Sequence, residues 1–235
     1  MPKTLRVLSV DFDFFQRVNA ETLMYCYPDG IDLPPDLTTI TWASHYNFQA
    51  DRLKKVTVDR KRLTQLKQII RNQNPLIKVM VVSSHVHIYD FILSNIPGYD
   101  QCDITNIDMH HDMFNNNNRL DCGNWVNHIK KAIPNCNITW IANKISNEVY
   151  GLRDLPVKYE FDDIMDKTFD LLFLCRSDTW LPPHLDKNFD EVVRLIQRKF
   201  PRMLTDGLVY EQRDISKAAS FLQQNHEQHR QLFGL

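Results

Sequence analysis

Five short runs of aliphatic and β-branched residues recur along the chain, each closed by polar residues. They are Leu5–Val10, Ile77–Val82, Ile104–Ile107, Ile138–Ile141 and Leu171–Cys175. Apolar runs this short, without alternation, predict strands buried on both faces. Helical periodicity lies between them. Asp59–Asn72 places Leu63, Leu66, Ile69 and Ile70 on one face, and Asn188–Lys199 does the same with Phe189, Val192, Val193 and Ile196. Asn124–Ala132 reads as a helix after the third strand, and Asp214–Phe233 as a polar, amphipathic closing helix. Strands alternating with helices predict an α/β protein with a mostly parallel sheet. Ligands of such sheets sit at the carboxyl ends of the strands. The stretch from Val18 to Ala50, with Tyr25, Tyr27, Pro28, Pro34, Pro35, Trp42, His45 and Tyr46, reads as a long irregular excursion, either a binding loop or a packed cover. The Asn115–Asn118 run reads as a turn.

Composition narrows the function classes. A chain of 235 residues, 43% hydrophobic, suits one domain over 1–235 with a sizeable core. Its 28 basic residues are matched by 29 acidic ones, without the basic excess of nucleic-acid or membrane-surface binders. Only 6 glycines are present, and neither GxGxxG nor GxxxxGK[ST] occurs. The apolar stretch before Asp11 falls short of a signal-peptide core, and no later run reaches membrane-span length. The five cysteines are scattered and none forms CxxC, which argues against a disulfide framework or a thiolate zinc site. A cytoplasmic, reduced setting is expected.

The chemistry gathers where strands end. The first delivers Asp11 and Asp13, the second His85 and His87, the third Asp108, His110, His111 and Asp112. In an extended chain, residues two apart point to one side, so Asp11 and Asp13 would face one point, as would Asp108 and His110. Carboxylates buried together without a cation repel and are desolvated. Three strands ending in such residues therefore predict a metal site. Carboxylates with some imidazole and no thiolate suit Mn²⁺, with Fe²⁺, Co²⁺ or Zn²⁺ as other candidates. So many ligands suit two cations rather than one.

These motifs resemble the ureohydrolase (arginase/agmatinase) superfamily. Asp108-Met109-His110-His111-Asp112 is similar to its DxHxD motif, Asp11-Phe12-Asp13 to its DxD motif, and His85 to its isolated strand-end histidine. The phrases VDFDFF, NIDMHHD, CGNWV and FLCRSDTWLPP resemble the divergent peptide arginases, which convert arginine residues of ribosomally made peptides to ornithine. The resemblance implies a three-layer α/β sandwich and a two-manganese centre. One ion would take His85, Asp108, Asp112 and Asp11, and the other Asp108, His110, Asp11 and Asp13, with Asp108 and Asp11 bridging. The motif order is rearranged, since DxD comes first here and late in ordinary arginases. Ser83-Ser84 replaces the usual Gly-Gly-Asp, so His87 competes with His85.

The same resemblance implies substrate-facing residues. Asp178, after the fifth strand, corresponds to an acid that holds the guanidinium; its other reading is a turn former. Gly123-Asn124 is similar to a pair facing the amino-acid end of arginine, with Asn124 alternatively a helix cap. His128 is the histidine nearest to the place of a proton shuttle, with Asp13 a second group to move the proton. Trp42, His45 and Trp180 are candidate groove walls, or simply packed aromatics. The implied reaction is hydrolysis of an arginine side chain in a precursor peptide, giving ornithine and urea. Another binuclear or zinc amidohydrolase or deacetylase of the same fold, and a non-catalytic, metal-stabilised peptide-binding module, are the alternatives.

Overall fold

A computed structural model describes residues 2–28, 32–114, 118–151, 155–220 and 223–224. Seven strands form one sheet: β1 (Thr4–Asp11), β4 (Lys78–Val82), β5 (Gln101–Asp108), β6 (Cys136–Ala142), β7 (Val157–Lys158), β8 (Leu171–Cys175) and β9 (Met203–Thr205). Their order is β7-β6-β5-β1-β8-β4-β9, and every pairing is parallel. Two further short strands, β2 (Gln16–Arg17) and β3 (Thr57–Val58), pair antiparallel beside it. The five predicted strands are present: β8 has the predicted bounds, β4 starts one residue later, and β1, β5 and β6 are longer by two to four residues where polar ends still find ladder partners.

Helices cover both faces. On one lie α3 (Arg60–Asn72) and, after the short α6 (Ser146–Tyr150) in the chain, α7 (Asp186–Lys199), whose Leu63, Leu66, Phe189 and Val192 share a core with Leu8 and Val10 of β1. On the other lie α4 (His87–Leu93) and α5 (Trp125–Ala132), whose Ile88, Phe91, Trp125 and Ile129 pack with Leu5 and Val7. The strand is therefore buried on both sides, and the three-layer α/β sandwich is formed. Asp59 caps α3, its carboxylate accepting from the Arg62 amide at 3.2 Å.

The stretch expected to be irregular is largely helical. It holds α1 (Ala20–Cys26), capped by Asn19, and α2 (Pro35–Leu53), opened by proline in its first turn. Proline marks a helix start as well as a loop, and the polar surface of α2 hides its period. Of the expected closing helix, residues 215–220 are helical, while positions 221–222 and 225–235, including His226 and His229, lie outside the described residues. So do positions 115–117 of the asparagine run. The five cysteines are free thiols. Among the described residues, no helix is long and apolar enough to cross a membrane.

All carboxyl ends of the parallel strands open on one edge. From β1 the chain runs to β4 on one side and then to β5 on the other, so its path diverges beside β1. This is where α/β sheets form their ligand crevices. Asp11 and Asp108 close the neighbouring strands β1 and β5, in a register that pairs Val10 with Ile107.

Candidate metal centre

The ligand loops are shaped by local needs. After Asp11 the chain leaves the strand for a single 3₁₀ turn, Phe12–Phe15, capped by the Asp11 side chain, which accepts from the Asp13 amide at 3.2 Å. In an extended chain Phe14 and Phe15 would lie on opposite faces. The turn lets Phe12, Phe14 and Phe15 all bury, with Phe12 edge-on to Phe189 and Phe14 stacked on Phe161. The extended geometry expected for Asp11-Phe12-Asp13 is thus replaced by a turn that swings Asp13 back over the sheet. The Asp13 carboxylate accepts from the Met109 amide at 3.3 Å, joining this loop to the one after β5.

The loop after β5 bends at once. The His110 amide donates to Asp108 Oδ1 at 2.7 Å. Asp112 has a left-handed backbone, φ 51°, which costs a non-glycine residue about 1 kcal/mol or more and aims its carboxylate back at the cluster. The Trp125 indole donates to that carboxylate. His85 crosses the end of β8 to reach Asp11 and lies flat on Phe173, ring centroids 5.5 Å apart.

The two histidines organise two groups. His85 Nδ1 lies 3.1 Å from Asp108 Oδ2, 3.1 Å from Asp112 Oδ2 and 3.3 Å from Asp11 Oδ2. His110 Nδ1 lies 2.9 Å from Asp13 Oδ2 and 3.6 Å from Asp108 Oδ1. Asp11, His85 and Asp108 bring one ligand atom each within 4.8 Å of one another, and so do Asp13, Asp108 and His110. Asp108 is common to both sets, and Asp11 belongs with His85. His87, the competing candidate, opens α4 and is exposed.

The residues fit a divalent cation on three grounds. Asp13 Oδ2, His85 Nδ1 and His110 Nε2 are buried without a well-aligned hydrogen bond despite the close ionic contacts of the first two, although buried polar atoms are ordinarily satisfied. Three carboxylate oxygens converge on His85 Nδ1, whose single N–H can serve only one of them. The donor set is oxygen with imidazole nitrogen and no thiolate, which suits first-row divalent ions of the manganese type.

Electrostatics agrees. Burial, with Asp13 and Asp108 nearby, pushes Asp11 up to about 7. Burial likewise raises Asp13 and Asp112, the latter with help from the Asp108 charge. Burial pulls both histidines down, but the surrounding groups outweigh it: Asp108, Asp11 and Asp112 hold His85 well above its ordinary value, and Tyr150, Asp13 and Asp108 do so for His110. Asp108 is lowered, since its bonds to His110 and His85 overcome the effect of burial. Without a cation the cluster is a proton trap, and a cation would replace those protons.

A pocket of about 300 Å³ opens over the cluster. Asp11, His85, His110 and Asp112 form its floor, Phe114, Tyr150 and Trp180 its aromatic walls, and Asp121, Cys122 and Gly123 one side. Tyr150 and Trp180 flank the His110 ring, with centroids 4.6 and 4.7 Å away. Burial raises the Tyr150 phenol, which stays protonated.

The four substrate and proton-transfer assignments fare differently. Asp178 does not line this pocket: its carboxylate is held in a fork by Arg176, at 2.5 Å from Nε and 2.9 Å from Nη2. The guanidinium it binds is the chain's own. Asn124 ties down the preceding loop, its side chain accepting from the Asp121 amide and donating to the Arg119 carbonyl, both at 2.9 Å. His128 faces Tyr89 on the outer side of α5, in a separate surface hollow with Asn124 and Asn127. Asp13 lies within the cluster beneath His110, fully buried, in a ligand position rather than on the pocket wall. Of the proposed walls, Trp180 lines the pocket, whereas Trp42 is buried and donates to the Asp178 carbonyl at 2.9 Å, with His45 packed against it.

Several residues at the site carry no motif. Ser9 Oγ lies 2.8 Å from His85 Nε2 and leaves Nδ1 for the carboxylates. Its signal was a serine among the aliphatic residues Val7, Leu8 and Val10. Trp125 stood within the CGNWV phrase, while Tyr150 and Asp121 carried no comparable mark. Ser84, in the loop before His85, donates to Asp32, whose carboxyl is raised by burial.

The fold and site thus define an α/β sandwich with a buried aspartate–histidine centre at the sheet's carboxyl edge. Comparison of the chain with protein-family models, curated proteins and solved structures gives no match.

Proposed function

We propose that the chain is a binuclear metallohydrolase that cleaves the guanidino group of arginine residues in a ribosomally made peptide, releasing urea and leaving ornithine. The observation that carries this reading is Asp108, whose two carboxylate oxygens face separate histidine groups, Oδ2 toward His85 and Oδ1 toward His110. One carboxylate serving two neighbouring groups is the arrangement that two-cation hydrolytic centres use. Asp11, His85, Asp112 and Asp108 would hold one cation, and Asp13, His110 and Asp108 the other, with Mn²⁺ the proposed ion. Such a pair supplies Lewis-acid polarisation and a nucleophile at neutral pH.

The chain's own residues do the rest. A guanidinium is flat, cationic and weakly hydrated, and it stacks on aromatic faces. Phe114, Tyr150 and Trp180 provide such faces above the floor. Asp121 is the pocket carboxylate outside the cluster and takes the cation-holding part in place of Asp178. The Tyr150 hydroxyl, kept protonated, offers a donor beside the reacting group. Water adds to the guanidinium carbon, the bond to the δ-nitrogen breaks, and that nitrogen leaves with a proton. The pocket's modest volume suits one side chain with the peptide backbone outside. Urea release from arginine-containing peptides by manganese-loaded protein tests the proposal. Turnover is expected with a peptide, and Asp121→Asn should raise KM more than it lowers kcat. Absence of urea from every peptide and from free arginine, in protein loaded with metal, would overturn it.

A further inference from the structure

A second and larger cavity, about 710 Å³, lies outside the metal pocket. We propose that it binds an acidic peptide segment, one carrying several carboxylates along an extended chain. The inference does not depend on the chemistry of the metal centre.

The charge of this cleft departs from the balance of the whole chain. Its lining holds five cations, Arg17, Arg52, Lys55, Arg62 and Lys144, against two carboxylates, Glu21 and Asp59. Both acids are engaged: Asp59 with Arg17 at 3.3 Å and Glu21 with Arg52 at 3.0 Å. Lys55 and Lys144 have no acidic partner among the described residues. Arg62 is the most informative of the five. Its side chain is only 8% exposed, and its guanidinium sits 5.1 Å from the centre of the Phe14 ring. Nη2 donates to the Tyr159 carbonyl at 2.8 Å and lies 3.6 Å from Glu160. Nε and Nη1 find no acceptor among the described residues. A buried arginine with spare donors lining a cationic cavity is a prepared anion contact.

The shape of the site selects among anions. The cations come from five separate segments, β2, the end of α2, the segment after it, α3 and the loop after β6, rather than from one loop. No glycine lines the cleft, whereas the backbone nests that hold phosphate are commonly glycine-rich. Carboxylates spaced along a peptide match this arrangement. The cleft also adjoins the metal pocket: Gln16, in its wall, donates to the Trp180 carbonyl at 2.9 Å and the Asp13 carbonyl at 3.1 Å.

The test is fluorescence anisotropy of labelled hexaglutamate with the full chain at low ionic strength. Saturable binding is expected, weakened as salt rises to about 0.15 M. Labelled hexaglutamine should not bind. The doubly charge-reversed K55E/K144E protein, altered only at exposed side chains, should lose about tenfold in affinity, or about 1.4 kcal/mol for two exposed charge contacts. Arg62→Gln should weaken binding further, with its fold checked by circular dichroism. Hexaglutamate that fails to bind, or binds K55E/K144E as well as the unaltered chain, overturns the proposal. Displacement by inorganic tripolyphosphate at concentrations no higher than those of hexaglutamate would also overturn it, in favour of a small-anion site.

Discussion

Ser9 Oγ lies 2.8 Å from His85 Nε2, beneath the ring whose Nδ1 meets three carboxylates. Both residues are buried, so the serine fixes the orientation of the imidazole. Partners of this kind are worth roughly 10–100-fold in metal affinity. Ser9→Ala should therefore leave the far-ultraviolet circular dichroism unchanged and weaken manganese binding by at least about tenfold, read by isothermal titration calorimetry. Unchanged affinity would show that His85 is held in place by Phe173 and its loop alone.

The Arg176–Asp178 pair predicts a stability effect where a substrate role would predict a kinetic one. Both side chains are buried, and Arg176 also donates to the carbonyls of Leu208, Val209 and Glu211, binding the segment after β9 to the sheet edge. Removing one partner of a buried ion pair costs about 3–5 kcal/mol because the other charge is left uncompensated. Asp178→Asn should lower the denaturant midpoint sharply. A protein of normal stability with only a raised KM would contradict this placement.

The cluster also sets a pH dependence for the metal-free protein. Asp11 is raised to about 7 from an ordinary 3.8, and His85 and His110 are raised above 6.5. The folded chain therefore holds more protons than the unfolded one, and stability falls as pH rises. For Asp11 the loss spans the interval from about 3.8 to about 7. For the histidines, stability is complete below 6.5 and lost as pH climbs through their raised values. Each extra bound proton costs about 1.4 kcal/mol per pH unit within its window. Bound manganese displaces these protons, so its stabilising effect should grow with pH. Thermal unfolding of chelator-treated and manganese-saturated protein at about pH 5 and pH 8 checks this, across the range where most proteins are at their most stable. A gap between the two forms that stays constant or narrows toward pH 8 would contradict it.

The metal cluster was legible because its logic is local: aspartates and histidines directly follow buried strands, and parallel strands bring their ends to one edge. Asp11, Asp13, Asp108, His110 and Asp112 follow from that rule, whereas the choice of His85 over His87 rested on the family resemblance. The path between them did not, since the turn at Phe12–Phe15 answers to aromatic burial rather than to strand geometry. Asp178 was misplaced for a related reason. Its position after a strand could be read, but its partner Arg176, two residues away, could not be distinguished from a solvent-facing charge. Asn124 and His128 flank the start of α5, where helix direction, invisible in spacing, turns His128 outward. Tyr150 reaches the pocket from the end of the short helix Ser146–Tyr150 and Asp121 from a loop, and both placements depend on the whole fold. Within Val18–Ala50, α2 was hidden by the prolines that serve as its start and α1 by its shortness.

The central claim is that Asp108 is shared by two cations, and anomalous diffraction from manganese-soaked crystals tests it most directly. Two peaks about 3.5–4 Å apart are predicted, one beside His85 and one beside His110, with Asp108 between them. A single peak, or two that Asp108 does not touch, would contradict the account.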